Sequence, residues 1–389
     1  MNPLFCLILA AIPSGAPPET PMTPDPKLAA LVRQLGDKSF TVREAAAREL
    51  TKLGSAAIPA LTLGEKDTDP EVAERSRQLL PLAAATGRNE KLAQLVKEPA
   101  GSPLPKGLAG LEDFLAITGD SKATRQLYTE MLTAHHRIIE ALETDPKTAG
   151  RLMSEFCAAA CDRAQAGARP CDLSDEALLT DRGQVAMFLF VRGHKAFANA
   201  NEDIGQISNV AGATKLQTFV SGKTEIPGMK NLFLHWLRNE RRAAIKLAGF
   251  RIATAAKVKE ARPIELKVAF DRNLPSHTRG LALVHAGNLG ADKQALKAVA
   301  PLLEDKTDLG SINIGNTDPM SVQFRDIALG VSIRLADEKL SDFGFNTDRF
   351  GDSVPYSHFY YAFPSDNARD KAHAKWKEQV SKETAPAKK

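Results

Sequence analysis

Three cysteines stand close together, Cys157, Cys161 and Cys171, the first two one helical turn apart and the third just after a Gly-Ala-Arg-Pro turn. Thiols so placed serve either a disulfide or a metal. A bridge between Cys157 and Cys161 along one straight helix has poor geometry, so the expected bridge joins Cys171 to Cys157 or Cys161. Closing a loop of about 10 to 15 residues stabilises by roughly 2 to 3 kcal/mol in the chain-entropy model. Two other readings stay open: buried reduced cysteines, or a zinc site that draws on His135 or His136. The spacing carries no C-x-x-C signature, and a fourth ligand is not evident.

Adjacent His135 and His136 are followed by Glu140, which places His136 and Glu140 on one helix face. Without an HExxH motif or a third ligand, that face is expected to be solvated. His194, His235, His277 and His285 are scattered singly and read as surface or satisfied interior groups. Nucleophile elbows, P-loops and dinucleotide fingerprints are absent from the sequence. No catalytic residue, metal ligand or cofactor site is therefore nominated, and an enzyme is not supported. Residues 344–364 have a different texture: Phe345, Phe350, Tyr356, Phe359, Tyr360, Tyr361 and Phe363 crowd a stretch poor in helix formers. These rings either pack beneath the last helix or offer a contact surface to a partner, with Phe350, Tyr356, Phe359, Tyr360 and Tyr361 as its candidates.

The elements that must position these groups are helices. Aromatic residues make up only 6% of the 389 residues, while Ala and Leu are abundant, which speaks against a β-sandwich. The formal charge of +4 is spread over 51 basic and 47 acidic side chains, with no internal basic block, so a dedicated nucleic-acid binder is excluded. In the middle of the chain the spacing predicts helices over 111–118, 121–142, 146–165, 174–179, 183–191, 203–220, 229–237 and 241–257, with capping signals at Asp145-Pro146 and Ser174-Asp175-Glu176.

At the amino end, residues 4–12 (LFCLILAAI) form a short apolar run, and Ser14-Gly15-Ala16 offers small residues for cleavage. Residues 1–16 are expected to be a signal peptide, although its first residues include no Lys or Arg, and the protein is expected to be periplasmic or secreted. Residues 17–26 follow as a proline-rich spacer. No later apolar run is long enough to predict a transmembrane segment.

The first folded stretch repeats. Asp37, Val42 and Leu50 recur as Asp67, Val72 and Leu80, each 30 residues later, a period suited to helical hairpins. Thr41 and Glu44 fit a capping box, and Asp69-Pro70 supplies an N-cap acid with Pro at N1. LVRQLGDKSFTVREAAARELTKLGSAAIPAL, followed by DPEVAERSRQLL, resembles the HEAT-like repeat of exported bacterial proteins, a type common in planctomycetes. That resemblance implies an all-α fold, an α-solenoid of antiparallel helical hairpins, and scaffold or binding roles. The carboxy-terminal part resembles the same group. Residues 279–290 and 293–305 read as a helix pair with a buried stripe of Leu296, Val299 and Leu303, and residues 322–329 open a further helix. Residues 306–319 are expected to be an inserted loop. Pro301 should kink or split its helix.

The expected organisation is thus hairpins over 27–96, a linker over 97–106, an irregular helical middle over 107–260, a carboxy-terminal module with aromatic loop and capping helix over 261–381, and a disordered tail over 382–389. In the capping helix, Ala368, Ala372, Trp376 and Val380 form the apolar stripe. The functional expectation is a noncatalytic scaffold that binds a protein partner in the bacterial envelope. The alternative is an enzyme or a metal- or cofactor-handling protein with a site around residues 157–171.

Overall fold

A computed structural model describes residues 25–166, 175–197, 203–221, 226–313, 319–346 and 356–384. The protein is mostly helical, its helices packed against neighbours. It separates into two compact units, residues 1–97 and 98–389.

The first unit contains α1 (Pro26–Gln34), α2 (Phe40–Lys52), α3 (Ile58–Gly64) and α4 (Pro70–Lys97). The turns into α2 and α4 are built alike. Asp37 accepts a hydrogen bond from the Ser39 amide at 2.8 Å, and Asp67 accepts from the Asp69 amide at 2.9 Å. An Asx turn therefore recurs at the 30-residue spacing and starts the second helix of each pair. Thr41 lies inside the first turn of α2, one residue past Phe40. The N-cap is Ser39, with no side-chain cap bond, so the expected Thr41 capping box does not form. Leu50 and Val72 are buried, while Val42 and Leu80 are half-buried. Leu50, Val72 and Leu80 share a core with Val32, Leu35, Leu61 and Leu79. Helix α4 runs 28 residues through Pro81 without a turn, so no second hairpin loop follows Leu80.

The second unit begins with residues expected to be a linker, and they are tethered. Arg125 donates to the Glu98 carbonyl at 3.0 Å, and Asp120 accepts from the Gly101 amide at 2.7 Å. Next come α5 (Leu111–Thr118), α6 (Lys122–Thr144), α7 (Pro146–Gln165), α8 (Asp175–Leu178) and α9 (Arg182–Gly193). Helix α7 starts where Asp145-Pro146 predicts, with Asp145 accepting from the Lys147 and Thr148 amides. Helix α9 is buried at Gly183 and from Val185 to Gly193, the mark of a helix enclosed on every side. Phe190 meets Phe114 edge-on at 5.6 Å, and Phe188 meets Trp236 at 5.9 Å.

Beyond α9 lie α10 (Ile204–Ala211), α11 (Thr214–Val220), α12 (Met229–Asn239) and α13 (Ala243–Ala255). The single helix expected over 203–220 is two, because the chain leaves helical geometry at Gly212 and Ala213. Helix α14 (Arg262–Phe270) was not anticipated. It is followed by α15 (Ser276–Asn288) and α16 (Lys293–Val299). Arg262 fastens this corner, donating to the Ala286 carbonyl at 3.1 Å and the Gly290 carbonyl at 2.6 Å and pairing with Asp292. After α16, Pro301 falls in a 3-10 turn over Ala300–Glu304, so the helix ends before it as a split predicts. The buried positions here are Ala295, Val299 and Leu302, with Leu296 and Leu303 half-buried.

Part of the expected loop is a strand. β1 (Asp308–Ile312) pairs antiparallel with β2 (Met320–Gln323), with a bulge between Asp308 and Ser311. Gly310 at φ +101 supplies backbone freedom that a side chain would resist. Ser321 also exchanges two backbone bonds with Phe363, at 3.1 and 2.9 Å, which sews the aromatic segment to the sheet. Helix α17 (Phe324–Leu335) follows β2, and α18 (Asp366–Thr384) closes the described chain. Helix α18 buries Ala372 and Trp376 of its predicted stripe, but Val380 is exposed. Beside that stripe Arg369 is fully buried, 2.9 Å from the equally buried Asp326 of α17.

Candidate functional site

Cys157 and Cys161 lie on one side of α7, both buried. The Cys161 thiol donates to the Gln206 carbonyl of α10 at 3.7 Å, and burial pushes its pKa up. A thiol so held is not an activated nucleophile. Cys171, the expected bridge partner, lies outside the described residues.

His136 and Glu140, whose shared face is expected to be solvated, are half-buried, and so is His135. Its backbone breaks helical geometry inside α6, at φ −130, and its ring packs edge-on against Phe156 of α7 at 5.5 Å. Burial lowers its pKa. Among the described residues no group of three or more His, Cys, Asp and Glu is placed to hold a metal ion.

The aromatic segment divides into two kinds of ring. Tyr361 is fully buried, as are Phe363 and Phe345 to within a few per cent, and Phe345 lies 4.7 Å from Phe363. Tyr361 cannot therefore belong to a contact surface. Phe359 and Tyr360 are half-buried, Phe350 lies outside the described residues, and Tyr356 is 45% exposed. Of the four described candidates, only Tyr356 combines exposure with a cavity.

That cavity is a cleft of about 520 Å³ framed by α10, α11, α13 and α15. Asp203 starts α10 by accepting from the Gly205 and Gln206 amides, which sets Ser208 and Asn209 on the cleft wall. Gln217 comes from α11, Arg251 from α13, and His285 from α15. The Thr254 hydroxyl donates to the Phe250 carbonyl at 3.0 Å and lies 3.0 Å from His285 Nδ1. Because that hydroxyl has one proton, already used, Nδ1 carries the ring proton and Nε2 keeps its lone pair. Burial, with the Arg251 charge second, pushes His285 down to about 4, so it is neutral and a weak base at pH 7. The Tyr356 ring stands 5.9 Å from the His285 ring. Arg251 is exposed and makes no ion pair among the described residues. The cleft thus offers guanidinium, amide and hydroxyl groups above an apolar floor of Leu247, Ile252 and Leu281.

The chain matches no protein-family model, no curated protein and no solved structure. Sequence reasoning singled out Tyr356 but passed over Arg251, Asn209 and Gln217, and read His285 only as a single histidine. Their positions span residues 209 to 356, and no local spacing announces that four helices bring them together. The available signal was modest: His285 sits in an otherwise apolar helical stretch, LALVHAG.

Proposed function

We propose that the protein is a noncatalytic binding protein of the bacterial envelope, HEAT-like in its repeat, that takes an extended protein segment into the cleft beside Tyr356. The observation that carries this reading is that an exposed Tyr356 and an Arg251 with no acidic partner among the described residues both line one cleft of about 520 Å³. Exposed tyrosine and arginine are the residue types that dominate protein recognition. His285 is neutral and too weakly basic for general-base work at pH 7, which favours binding over chemistry. The fitting segment carries an acidic residue for Arg251, flanked by an apolar side chain for Leu247, Ile252 and Leu281.

The HEAT-like part of the reading rests on the residues of the 30-residue repeat and is supported by the matched Asx turns at Asp37 and Asp67. Envelope placement rests on residues 4–16, which lie outside the described residues. In fluorescence-polarisation titrations, extended peptides with an acidic–apolar pair should bind, and Arg251→Ala and Tyr356→Ala should each weaken binding about tenfold or more. Binding indifferent to both substitutions would overturn the assignment to this cleft.

A further inference from the structure

A second cleft, of about 700 Å³, opens between the end of α12, the start of α13 and α14. Four cationic side chains line it: Arg238, Arg241, Lys246 and Lys267. Its two acidic residues, Glu240 and Asp271, offset them only in part. Glu240 is buried and already engaged, 2.8 Å from Arg192, 3.2 Å from the Trp236 indole N–H and 2.9 Å from the Arg242 amide. Asp271 accepts from the Asn273 amide at the end of α14. Among the described residues Arg238, Lys246 and Lys267 make no ion pair.

Lys246 is the informative member. It is half-buried, and burial together with the neighbouring Lys267 charge pulls its pKa down, against the pull of Glu240. Lysines are ordinarily kept in water, and like charges gathered together repel one another. The first turn of α13 opens on the cleft at Ala243, with the Glu240 carboxylate accepting from the Arg242 amide at that helix end. Apolar Pro263, Ile264, Val268 and Leu274 line the same cleft, the first three on α14 together with Lys267. The volume exceeds what a lone oxyanion needs and falls in the range of small-molecule sites.

We propose that this cleft binds a phosphorylated small molecule, its phosphate held by Lys246, Lys267 and Arg238 and its apolar body laid on Pro263, Ile264, Val268 and Leu274. Isothermal titration of the full chain with phenyl phosphate, inorganic phosphate and phenol separates the contributions. Phenyl phosphate should bind about tenfold or more tightly than inorganic phosphate, and phenol should not bind over the same range. Lys246→Gln and Lys267→Gln, the latter at an exposed position, should each weaken phenyl phosphate by about tenfold, while Lys297→Gln on α16, outside the cleft lining, should change nothing. The second lysine keeps the outcome readable if Lys246→Gln fails to fold. Equal binding of phenol and phenyl phosphate, equal binding of phenyl phosphate and inorganic phosphate, or indifference to Lys267→Gln would each overturn the proposal.

Discussion

Glu265 is fully buried in α14, and neither of its carboxyl oxygens has a hydrogen-bond partner among the described residues. Burial raises its pKa well above the ordinary range, against the pull of Arg262, so the folded protein holds a proton there that the unfolded chain releases above about pH 4. Stability from this group is complete below the unfolded pKa and is lost as pH rises toward the raised folded value. His285 works in the opposite direction. Its folded pKa of about 4 lies below the unfolded value, so stability is complete above about pH 6.5 and is lost as pH falls toward 4. Urea unfolding across pH should therefore show a maximum. Glu265→Gln should flatten the alkaline limb, and His285→Gln should remove up to about 3 kcal/mol of the acid limb. An unchanged profile in either variant would contradict the assigned protonation states. At the same scale, Cys171 is expected to be bridged, and non-reducing peptide mapping of protein from an oxidising compartment should recover a linked peptide containing it. Freely alkylated Cys157, Cys161 and Cys171 would exclude the bridge.

Elements were legible where a cap and a stripe coincide. Helices over 111–118 and 146–165 begin and end as read, since Asp145-Pro146 and Gly119 are unambiguous punctuation. The sequence failed where long-range contacts decide. Residues 308–312 and 320–323 pair as strands partly because Ser321 also bonds Phe363 some forty residues on, a partner that no local pattern reveals. Helix α14 went unread although Pro263 at its start and the Ile264 and Val268 spacing mark it. Within the first unit, Leu50→Ala should cost about 2 to 5 kcal/mol through lost transfer energy plus a cavity, whereas exposed Arg48→Ala should stay near about 0.5 kcal/mol. Helix α2 packs on α4, so amide exchange should also quicken across residues 70–82 in Leu50→Ala. Confinement of the effect to residues 40–53 would mean the helix pairs are energetically separate. At the other end, Arg369→Met strands the buried Asp326 carboxylate and should cost about 3 to 5 kcal/mol in thermal or chemical unfolding.

For the whole molecule, the sequence indicated helices and a repeat but not where they converge. Both clefts are assembled from residues on separate helices, and composition spreads the charges so evenly that a local surplus of cations disappears in a net +4. Contact between Tyr356 and a protein partner is the central claim, and photo-crosslinking in the native host tests it most directly. A benzoyl-phenylalanine replacing Tyr356 should give one crosslinked protein adduct in the envelope fraction. That adduct should be lost when Arg251→Ala is added and should not form when the crosslinker stands at Lys297. A crosslinker at Tyr356 that yields no protein adduct, or the same adducts as at Lys297, would contradict the account.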